Sequence, residues 1–463
     1  MGDGYDVVVI GAGTGGYSTA LRAAQLGKRV AIIERDDRLG GTCLLRGCIP
    51  TKALLQSAAV LDTVHRSAEW GIKADGEPDW SAVKDFQDKV VTKLVQGVTG
   101  LLSARAVDVI KGAATLLPSA GGKQQIEVGG RRLEAADVVV ATGSRPKLLP
   151  GLDVTERIIT SDQALVADRI PESAVVIGAG AVGLEFASIY RSFGADVTVV
   201  EALPRLAPLE DEDVSKEIGR AFRKRGITSA ASATVKSVLE VGAGVEVSYD
   251  AGGETTVTAD ICLVAVGRGP VSDGLGLDAA GVTLDERGFV TVDPMLRTTA
   301  EHVWAVGDVA ATPLQLAHVA FTEGYAVAER IAGVDVPEID YVNIPKVTYC
   351  WPEMASVGLT EAQAREQGRD IVTEKLDFRA IGKANIIGEA GFVKVVAESD
   401  GGSVLGVHMI GPHVTDLISE AMLITNWEAL PADVAALIHP HPTLSEAIGE
   451  AHLALAGKPL HSA

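Results

Sequence analysis

The sequence is poor in cysteine, in aromatic residues and in basic residues. Four cysteines in 463 residues are too few for the disulfide framework of a secreted scaffold, so a close cysteine pair is expected to be redox-active. Aromatic residues make up 4% of the chain, whereas hydrophobic residues make up 47% and glycine numbers 51, which is typical of alternating strands and helices. At about 150 residues per domain, the length predicts several domains.

The charge balance and the apolar runs exclude two further classes. With 61 acidic and 41 basic residues the formal net charge is −20, which argues against nucleic-acid binding and is compatible with a basic protein partner. No apolar run approaches the roughly 18 residues of a membrane-spanning helix. The first residues carry no basic segment followed by a long apolar run, so we expect a soluble, cytoplasmic protein.

Two glycine-rich segments, YDVVVIGAGTGG and SAVVIGAGAVGL, predict two dinucleotide sites. In each, the glycines follow an apolar strand and open an Ala-rich helix, and an acidic residue ends the next strand. Such glycines let a pyrophosphate approach the helix N-terminus, and the acid accepts from ribose hydroxyls. A glycine turn that only packs helix on strand is the alternative for one copy. The predicted binding residues are Gly11, Gly13, Gly16 and Glu34 in the first segment and Gly178, Gly180, Gly183 and Glu201 in the second.

Later strand and turn patterns organise the rest of the chain. DVVVATGSRP and ICLVAVGRGP are predicted to close the two nucleotide domains, and VWAVGDVA places Asp308 just after an apolar strand, as a cofactor contact or as a solvated turn residue. From about residue 341 an alternating strand and Ala-rich helices indicate a separate C-terminal domain. The predicted fold class is therefore α/β, with two Rossmann-like dinucleotide-binding domains and a C-terminal α+β domain.

The segment GGTCLLRGCIPTK, residues 40–52, holds Cys43 and Cys48 shortly after the first glycine-rich segment. A dithiol beside a nucleotide site indicates two-electron chemistry, because a flavin can exchange electrons with a disulfide. A zinc site would need four ligands, and no second Cys or His pair lies nearby, so no metal is expected. Cys262 and Cys350 have no close cysteine neighbour and are predicted to be inert, half-buried thiols.

Over essentially its whole length the chain resembles the pyridine nucleotide-disulfide oxidoreductases. The motifs that carry the resemblance are GGTC…GCIPTK, the two glycine-rich segments, ATG, VGD, LQLAHVAFTEG and HPHPTLSEA. The resemblance implies oxidation of protein-bound dihydrolipoamide, with electrons passing through the cysteine pair to FAD and then to NAD. It implies an FAD-binding domain at 1–148, an NAD-binding domain at 149–272, a central domain at 273–340 that completes the FAD site, and a dimerisation domain at 341–463.

The same resemblance implies roles for the residues of the GGTC…GCIPTK motif. Cys43 would be the thiol that exchanges with the substrate, and Cys48 would lie over the flavin. Lys52 would lie beside the flavin ring with Glu185 as its ionic partner. Between the cysteines, this chain has Leu45-Arg46 where family members commonly have Asn-Val; we hypothesise that Arg46 lowers the pKa of a nearby thiol, and an exposed helix charge is the alternative.

The HPHPTLSE motif, at 439–446, implies the acid–base pair of the reaction. His441 would take the proton of the dithiol, while Glu446 would fix the tautomer of its imidazole. In the family this segment serves the dithiol of the other subunit, so the resemblance implies an obligate homodimer. For the neighbouring His439 two interpretations stay open, a lining of the substrate channel and a solvated surface position.

Further cofactor contacts follow from the resemblance. They are Thr142 and Gly143 near the FAD phosphates, Asp308 at its ribityl and pyrophosphate region, Ala114 at its adenine, the backbone of Ala317 and His318 at its isoalloxazine, and Val235 and Gly267 at the NAD. Glu201 favours NAD, since a carboxylate at this place accepts from a free 2′-hydroxyl and repels a 2′-phosphate. Arg205, close by in the sequence, is the argument for NADP.

The implied partners are the lipoyl domain and the subunit-binding domain of a 2-oxoacid dehydrogenase acyltransferase, and the net charge of −20 agrees with a basic docking domain. An NADPH-dependent reductase of glutathione or mycothione disulfide is the alternative within enzymes. A non-catalytic flavoprotein scaffold is the alternative outside them, and the four residues Cys43, Cys48, His441 and Glu446 together argue against it. The end of the sequence, GKPLHSA, lacks the cysteine pair of a mercuric reductase.

Overall fold

The computed structural model describes residues 4–461, and the chain divides into two units. The first unit contains residues 4–54, 79–147 and 267–341, and the second contains residues 55–78, 148–266 and 342–461. Because each unit is assembled from separated stretches of sequence, residues far apart in the chain meet within one core.

Helices alternate with strands around the two glycine-rich segments, whereas the strands within residues 108–159 and within residues 228–305 follow one another without an intervening α-helix. The helices are α1 (Thr14–Gln25), α2 (Gly41–Arg46), α3 (Cys48–His65), α4 (Trp80–Ala104), α5 (Ser161–Val166), α6 (Ala181–Ser192), α7 (Glu212–Lys224), α8 (Ala317–Ile331), α9 (Glu361–Glu366), α10 (Gly382–Ile387), α11 (Val414–Asn426), α12 (Pro431–Ala435) and α13 (Glu446–Leu455). Short 3₁₀ turns occur at Ser67–Trp70, Gly307–Val309, Phe378–Ala380 and Ser399–Gly401. None of the helices in the described part is long and apolar enough to cross a membrane.

The strands of the first unit are β1 (Gly4–Ile10), β2 (Val30–Glu34), β3 (Asp108–Lys111), β4 (Ala114–Ala120), β5 (Lys123–Val128), β6 (Arg131–Val140), β7 (Ser144–Pro146), β16 (Arg268–Pro270) and β17 (Val303–Ala305). Those of the second are β8 (Ile158–Ile159), β9 (Ser173–Ile177), β10 (Asp196–Val200), β11 (Thr228–Ala230), β12 (Thr234–Val241), β13 (Gly244–Asp250), β14 (Glu254–Ala259), β15 (Ile261–Val264), β18 (Lys346–Thr348), β19 (Glu353–Gly358), β20 (Ile371–Asp377), β21 (Phe392–Glu398) and β22 (Val404–Gly411).

A mostly parallel sheet forms the centre of the first unit. Its strand order is β3-β2-β1-β6-β5-β4, with β17 also paired to β6. Val7, Val8 and Val9 of β1 are fully buried, as expected for a parallel strand that is covered on both faces. Helices α1 and α8 pack closely, since a Cβ built on Gly324 would lie 2.6 Å from the carbonyl oxygen of Gly15.

The second unit contains a parallel sheet, a small antiparallel sheet and a larger antiparallel sheet. The parallel sheet has the order β11-β10-β9-β15-β8, and β12, β13 and β14 form a three-stranded meander. The C-terminal antiparallel sheet has the order β18-β19-β22-β21-β20. This arrangement confirms the predicted fold class. The bounds of the four predicted domains stay predictions.

The C-terminal sheet is buried on both faces, one of them apolar and the other containing a buried charged cluster. Val393 and Val395 belong to a core that includes residues of α11 and α13. On the opposite face Lys394, only 3% exposed, lies within 2.9 Å of Asp211, Asp213 and Glu361. Burial of a lysine requires such partners, so this cluster ties the sheet to the start of α7 and to α9.

The predicted absence of a secretion signal depends partly on residues 1–3, which lie outside the described residues.

Candidate active site

The first glycine-rich turn brings β1 and α1 together so tightly that side chains are excluded. Gly11 has φ +102°, and a Cβ built on Gly16 would lie 1.9 Å from the carbonyl oxygen of Gly11. Gly13 caps α1, leaving the N–H groups of its first turn directed outward. This turn is a cradle for a pyrophosphate.

Glu34 closes the same turn from the end of β2. Its carboxylate accepts the N–H of Ala12 at 2.8 Å and the N–H of Asp36 at 2.9 Å. The residue is 8% exposed, so these bonds hold the carboxylate beside the turn. Each carboxylate oxygen keeps a further acceptor site, which is what recognition of ribose hydroxyls requires.

The second glycine-rich turn repeats this geometry between β9 and α6. Gly178 has φ +104°, and a Cβ on Gly183 would lie 1.9 Å from the carbonyl oxygen of Gly178. Glu201 accepts from the N–H of Ala179 at 2.6 Å and from the N–H of Leu203 at 2.7 Å. Gly180 caps α6. The structure thus holds a dinucleotide cradle in each unit.

The two motif cysteines meet in the first unit as thiols. Cys43 lies in α2, Cys48 begins α3, and a hydrogen bond joins the two side chains. That hydrogen bond, together with burial, raises the pKa of Cys43, while the charge of Lys52 acts to lower it. Lys52 lies one turn beyond Cys48 on α3, so the lysine is the cation of the dithiol site.

Arg46 has an acidic partner in the structure, and its hypothesised effect on the pKa of a nearby thiol stays a prediction. Its guanidinium forms an ion pair with Asp36, and the charge that lowers the pKa of Cys43 is that of Lys52. The pairing of Arg46 follows from its place in the last turn of α2, where the side chain reaches the segment after β2. The alternative interpretation, a helix charge at the surface, is closer to the structure.

Asp308 lies in a polar network rather than in a solvated turn. Ser144 Oγ donates to Asp308 Oδ2 at 2.5 Å, and Arg268 donates to Ser144 Oγ at 2.7 Å and to the Ser144 carbonyl oxygen at 2.9 Å. Asp308 also acts electrostatically on Cys43 and raises its pKa. The network therefore places the carboxylate near the dithiol and orients it.

Thr142 and Gly143 follow β6 and are held to the segment after β16. The hydroxyl of Thr142 donates to the Val271 carbonyl oxygen at 2.6 Å, and the N–H of Val271 donates to the Gly143 carbonyl oxygen at 2.9 Å. Gly143 has φ +72°, a conformation that favours glycine.

The other predicted FAD contacts lie in three places in the first unit. Ala114 begins β4 and is buried, and the preceding Gly112 donates its N–H to the Glu34 carbonyl oxygen at 2.8 Å. Ala317 and His318 begin α8, and the His318 side chain is exposed. Their contacts with FAD stay predictions.

The two remaining predicted NAD contacts belong to different units. Val235 lies on β12 in the second unit, with the Glu201 turn, whereas Gly267 begins the last segment of the first unit. Lys52 and Glu185 are likewise in different units. Glu185, 4% exposed, accepts from the N–H of Tyr349 at 3.0 Å, and its pairing with Lys52 stays a prediction.

His441 and Glu446 are brought together in the second unit. His441 Nδ1 lies 2.8 Å from Glu446 Oε1, and the N–H of Thr443 donates to Glu446 Oε2 at 2.9 Å. Burial acts to raise the pKa of Glu446, but these hydrogen bonds and the His441 charge outweigh it and lower the pKa. The carboxylate therefore stays ionised and orients the ring, whose side chain is 75% exposed.

His439 is held by a partner within its own unit, which argues against the solvated interpretation; the interpretation as a lining of the substrate channel stays a prediction. Its Nε2 lies 2.7 Å from Glu420 Oε1, and its side chain is only 12% exposed. The residue is therefore not a solvated surface histidine. Its partner on α11 belongs to no recognised motif, so the sequence alone could not reveal the contact.

Several residues of the site were not predicted from the sequence. Ser144 and Arg268 lie inside the quoted ATGSRP and VGRGP motifs, and that signal could have identified them. Tyr17 follows the first glycines and is close enough to the cysteines for their charge to act on its pKa, which burial chiefly raises. Within residues 4–461 no group of three or more His, Cys, Asp or Glu side chains could hold a metal ion.

Comparison with known protein families accounts for nearly the whole chain. Residues 5–324 match the family described as pyridine nucleotide-disulphide oxidoreductase. Residues 344–452 match the pyridine nucleotide-disulphide oxidoreductase dimerisation domain. The second match supports a homodimer.

Individual relatives are similar over their full lengths. A dihydrolipoyl dehydrogenase of Bacillus subtilis is 43% identical and covers 100% of both chains. A dihydrolipoyl dehydrogenase of Mycobacterium tuberculosis is 40% identical over 98% of both chains. Among solved structures, LpdA from Mycobacterium tuberculosis has a TM-score of 0.90 at 28% identity, over 97% of this chain and 99% of that one. The HOCl-induced flavoprotein disulfide reductase RclA from Escherichia coli has a TM-score of 0.87 at 28% identity, with the same coverage.

Proposed function

Because the chain belongs to the pyridine nucleotide-disulphide oxidoreductase family, we propose that it acts as a dihydrolipoyl dehydrogenase. It oxidises protein-bound dihydrolipoamide to lipoamide and uses FAD and NAD. The observation that carries this proposal is the hydrogen-bonded pair Cys43 and Cys48 beside Lys52, in a chain with two dinucleotide cradles. The full-length similarity to dihydrolipoyl dehydrogenases supports it over a reductase of glutathione or mycothione disulfide.

The residues present fit a dinucleotide in each unit. In the first, the turn at Gly11, Gly13 and Gly16 would hold the FAD pyrophosphate, and Glu34 would accept from the adenosine ribose. In the second, Gly178, Gly180 and Gly183 would hold the NAD pyrophosphate beside Glu201. The remaining predicted contacts are divided between the two cofactors. Those assigned to FAD are Thr142, Gly143, Asp308, Ala114, Ala317 and His318, and those assigned to NAD are Val235 and Gly267. When bound, FAD and NAD supply the acceptors that take two electrons from the dithiol.

Cys43 and Cys48 carry out the exchange with the substrate. A thiolate of dihydrolipoamide attacks Cys43 in the disulfide form of the enzyme, so the bond between the two enzyme sulfurs breaks and Cys48 leaves as a thiolate. The second thiol of the substrate then attacks its own mixed-disulfide sulfur, which releases cyclic lipoamide and the Cys43 thiolate. Lys52 stabilises the negative charge on these sulfurs.

His441 accepts the proton that the substrate dithiol loses. The hydrogen bond from its Nδ1 to Glu446 leaves Nε2 as the position that takes the proton, and Glu446 stabilises the imidazolium. The ring is exposed, and the apolar residues Trp427, Leu437 and Ile438 near it in the chain are exposed too. We therefore assign His441 to the dithiol of a second copy in the homodimer.

The macromolecular partners in this proposal are a lipoyl domain, which carries the substrate, and the subunit-binding domain of an acyltransferase. The net charge of −20 favours a basic docking domain. A bacterial cytoplasmic location agrees with this assignment. Docking is expected to weaken as the salt concentration rises, because screening reduces the attraction between opposite charges.

The proposal is tested by steady-state turnover of dihydrolipoamide with NAD and with NADP, beside glutathione and mycothione disulfides with each reduced nucleotide. We expect turnover of dihydrolipoamide with NAD, and loss of about 10³-fold or more in Cys48→Ser, because the exchange requires both sulfurs. Cys262→Ala is the matched control, since that thiol is buried in β15. Faster reduction of a small disulfide by NADPH would contradict the proposal.

A further inference from the structure

We propose that His439 is a positioning residue: through Glu420 it holds the segment 437–446, and with it the ring of His441, against α11 and α13. The inference goes further than the proposed function and rests on it, because it takes His441 as the group that accepts the dithiol proton. His439 is the first histidine of the HPHP motif, and the proposed reaction assigns no step to it.

The first observation is a part-buried contact between α11 and the segment that precedes α13. His439 Nε2 lies 2.7 Å from Glu420 Oε1, and Glu420 is on α11. A carboxylate only accepts, so Nε2 carries the hydrogen and donates it. A hydrogen bond to a charged group is among the stronger polar contacts in proteins, so this one can hold a segment that is otherwise loop.

The second observation is the space left by Gly449 on α13. A Cβ built on Gly449 would lie 2.5 Å from His439 Nδ1 and 2.8 Å from its Cε1. The imidazole of His439 therefore packs against the helix at a position that a larger residue would fill. Gly449 lies three residues after Glu446, so the surface that receives His439 and the carboxylate that orients His441 belong to the same stretch of α13.

The link from His439 to His441 is short and stiff. Only Pro440 separates them, and its ring fixes the backbone φ angle. Few rotatable backbone bonds therefore lie between the two histidines. A displacement of the His439 side chain would also displace His441. The ring of His441 is 75% exposed, so without this anchor little within the chain except Glu446 would hold it.

Charged groups from two elements act on His439. Glu420 on α11 raises its pKa through the hydrogen bond, burial opposes this, and Glu446 on α13 adds to the rise. The buried His452, also on α13, is electrostatically coupled to His439 and donates its Nδ1–H to the Ile448 carbonyl oxygen at 2.7 Å. Because the pKa of His439 is raised in the folded state, the charged part of the anchor is complete below about pH 6.5 and is lost as the pH rises through the raised value.

The test uses the full-length holoenzyme and reads hydrogen exchange of the backbone segment 437–446, measured by mass spectrometry, beside kcat against pH. His439→Ala removes the anchor, His439→Gln keeps a donor near Nε2 without the charge, and Gly449→Ala displaces the ring while removing no titratable group. Gly219→Ala on α7 is the matched control, since a Cβ there meets nothing within 4 Å.

We expect faster exchange in segment 437–446 and a kcat lower by about 10-fold in His439→Ala and Gly449→Ala. His439→Gln should restore most of kcat and of the protection, with less dependence of the protection on pH between about 6 and 8. Gly219→Ala should match the parent protein. Unchanged exchange in both His439→Ala and Gly449→Ala would overturn the proposal. The exchange result does not depend on turnover, so failure of the parent enzyme to oxidise dihydrolipoamide would count against the proposed function alone.

Discussion

The two glycine-rich turns have nearly the same backbone and very different surroundings. In both, a later N–H returns to the turn: Gly40 donates to the Ala12 carbonyl oxygen at 2.9 Å, and Ala207 donates to the Ala179 carbonyl oxygen at 3.1 Å. After this hydrogen bond the two segments follow different courses. The first continues into α2 and the dithiol, whereas the second continues to Leu209, which is 82% exposed.

The difference is clearest at the helix caps. A Cβ built on Gly41 would lie 2.6 Å from the Cα of Gly13, so the first cap is covered by its own chain, and Thr14 beside it is buried. The second cap is open, because a Cβ on Gly180 meets nothing within 4 Å and Ala181 is exposed. One turn geometry can thus enclose a cofactor that stays bound or accept a nucleotide that must enter and leave in every cycle.

The largest expected effect comes from filling the two caps. Gly13→Ala and Gly180→Ala both have backbone angles that alanine adopts, and neither added methyl clashes with the protein. Each methyl occupies the place where a pyrophosphate approaches. Gly13→Ala should lower the flavin content, measured by visible absorbance, to a small fraction of the parent value, because an enclosed cofactor cannot shift. Gly180→Ala should keep the flavin and raise the KM for NAD by about 10- to 100-fold.

Equal loss of flavin in both variants would break the comparison, since it would mean that the open turn also supports FAD retention. The far-ultraviolet circular dichroism of both variants should match the parent protein and serves as the control for folding.

An intermediate effect is expected at the two acidic residues. Glu201→Gln keeps an oxygen acceptor but removes the charge that repels a 2′-phosphate, so the ratio of kcat/KM for NAD to that for NADP should fall by about 10-fold, or about 1.4 kcal/mol. Glu34→Gln should weaken FAD and leave this ratio unchanged. A similar fall of the ratio in both variants would contradict the assignment of Glu201 to the NAD ribose.

The smallest effect is expected at Arg205, the sequence argument for NADP. Its Nη2 lies 3.3 Å from the Pro208 carbonyl oxygen and 3.5 Å from the Glu210 carbonyl oxygen, so the side chain supports its own loop. Arg205→Met should raise the KM for NAD by about 2- to 3-fold and change the KM for NADP by the same factor. A selective loss of NADP turnover would show that the guanidinium faces the 2′-position instead.

The spacing of residues in the sequence predicted the turns and contacts that form within one stretch of chain. The glycine turns and the acids that close them follow from residue type and spacing along about 23 residues. The pair His441 and Glu446 was identified from the HPHPTLSE motif through the family resemblance. The contact of Ser144 and Asp308 with Arg268 could not be predicted in the same way, because three separate segments must first be brought together by the sheet. Glu420 was missed because it belongs to no motif, although only 19 residues separate it from His439.

The Lys394 cluster restricts how this chain can diverge in evolution. Loss of the lysine alone would leave Asp211, Asp213 and Glu361 facing one another, and breaking a buried ion pair costs about 3–5 kcal/mol. The four positions are therefore expected to change together or not at all. A chimera that took α7 from one relative and the C-terminal sheet from another would fold only when both parents carry matching residues at these positions.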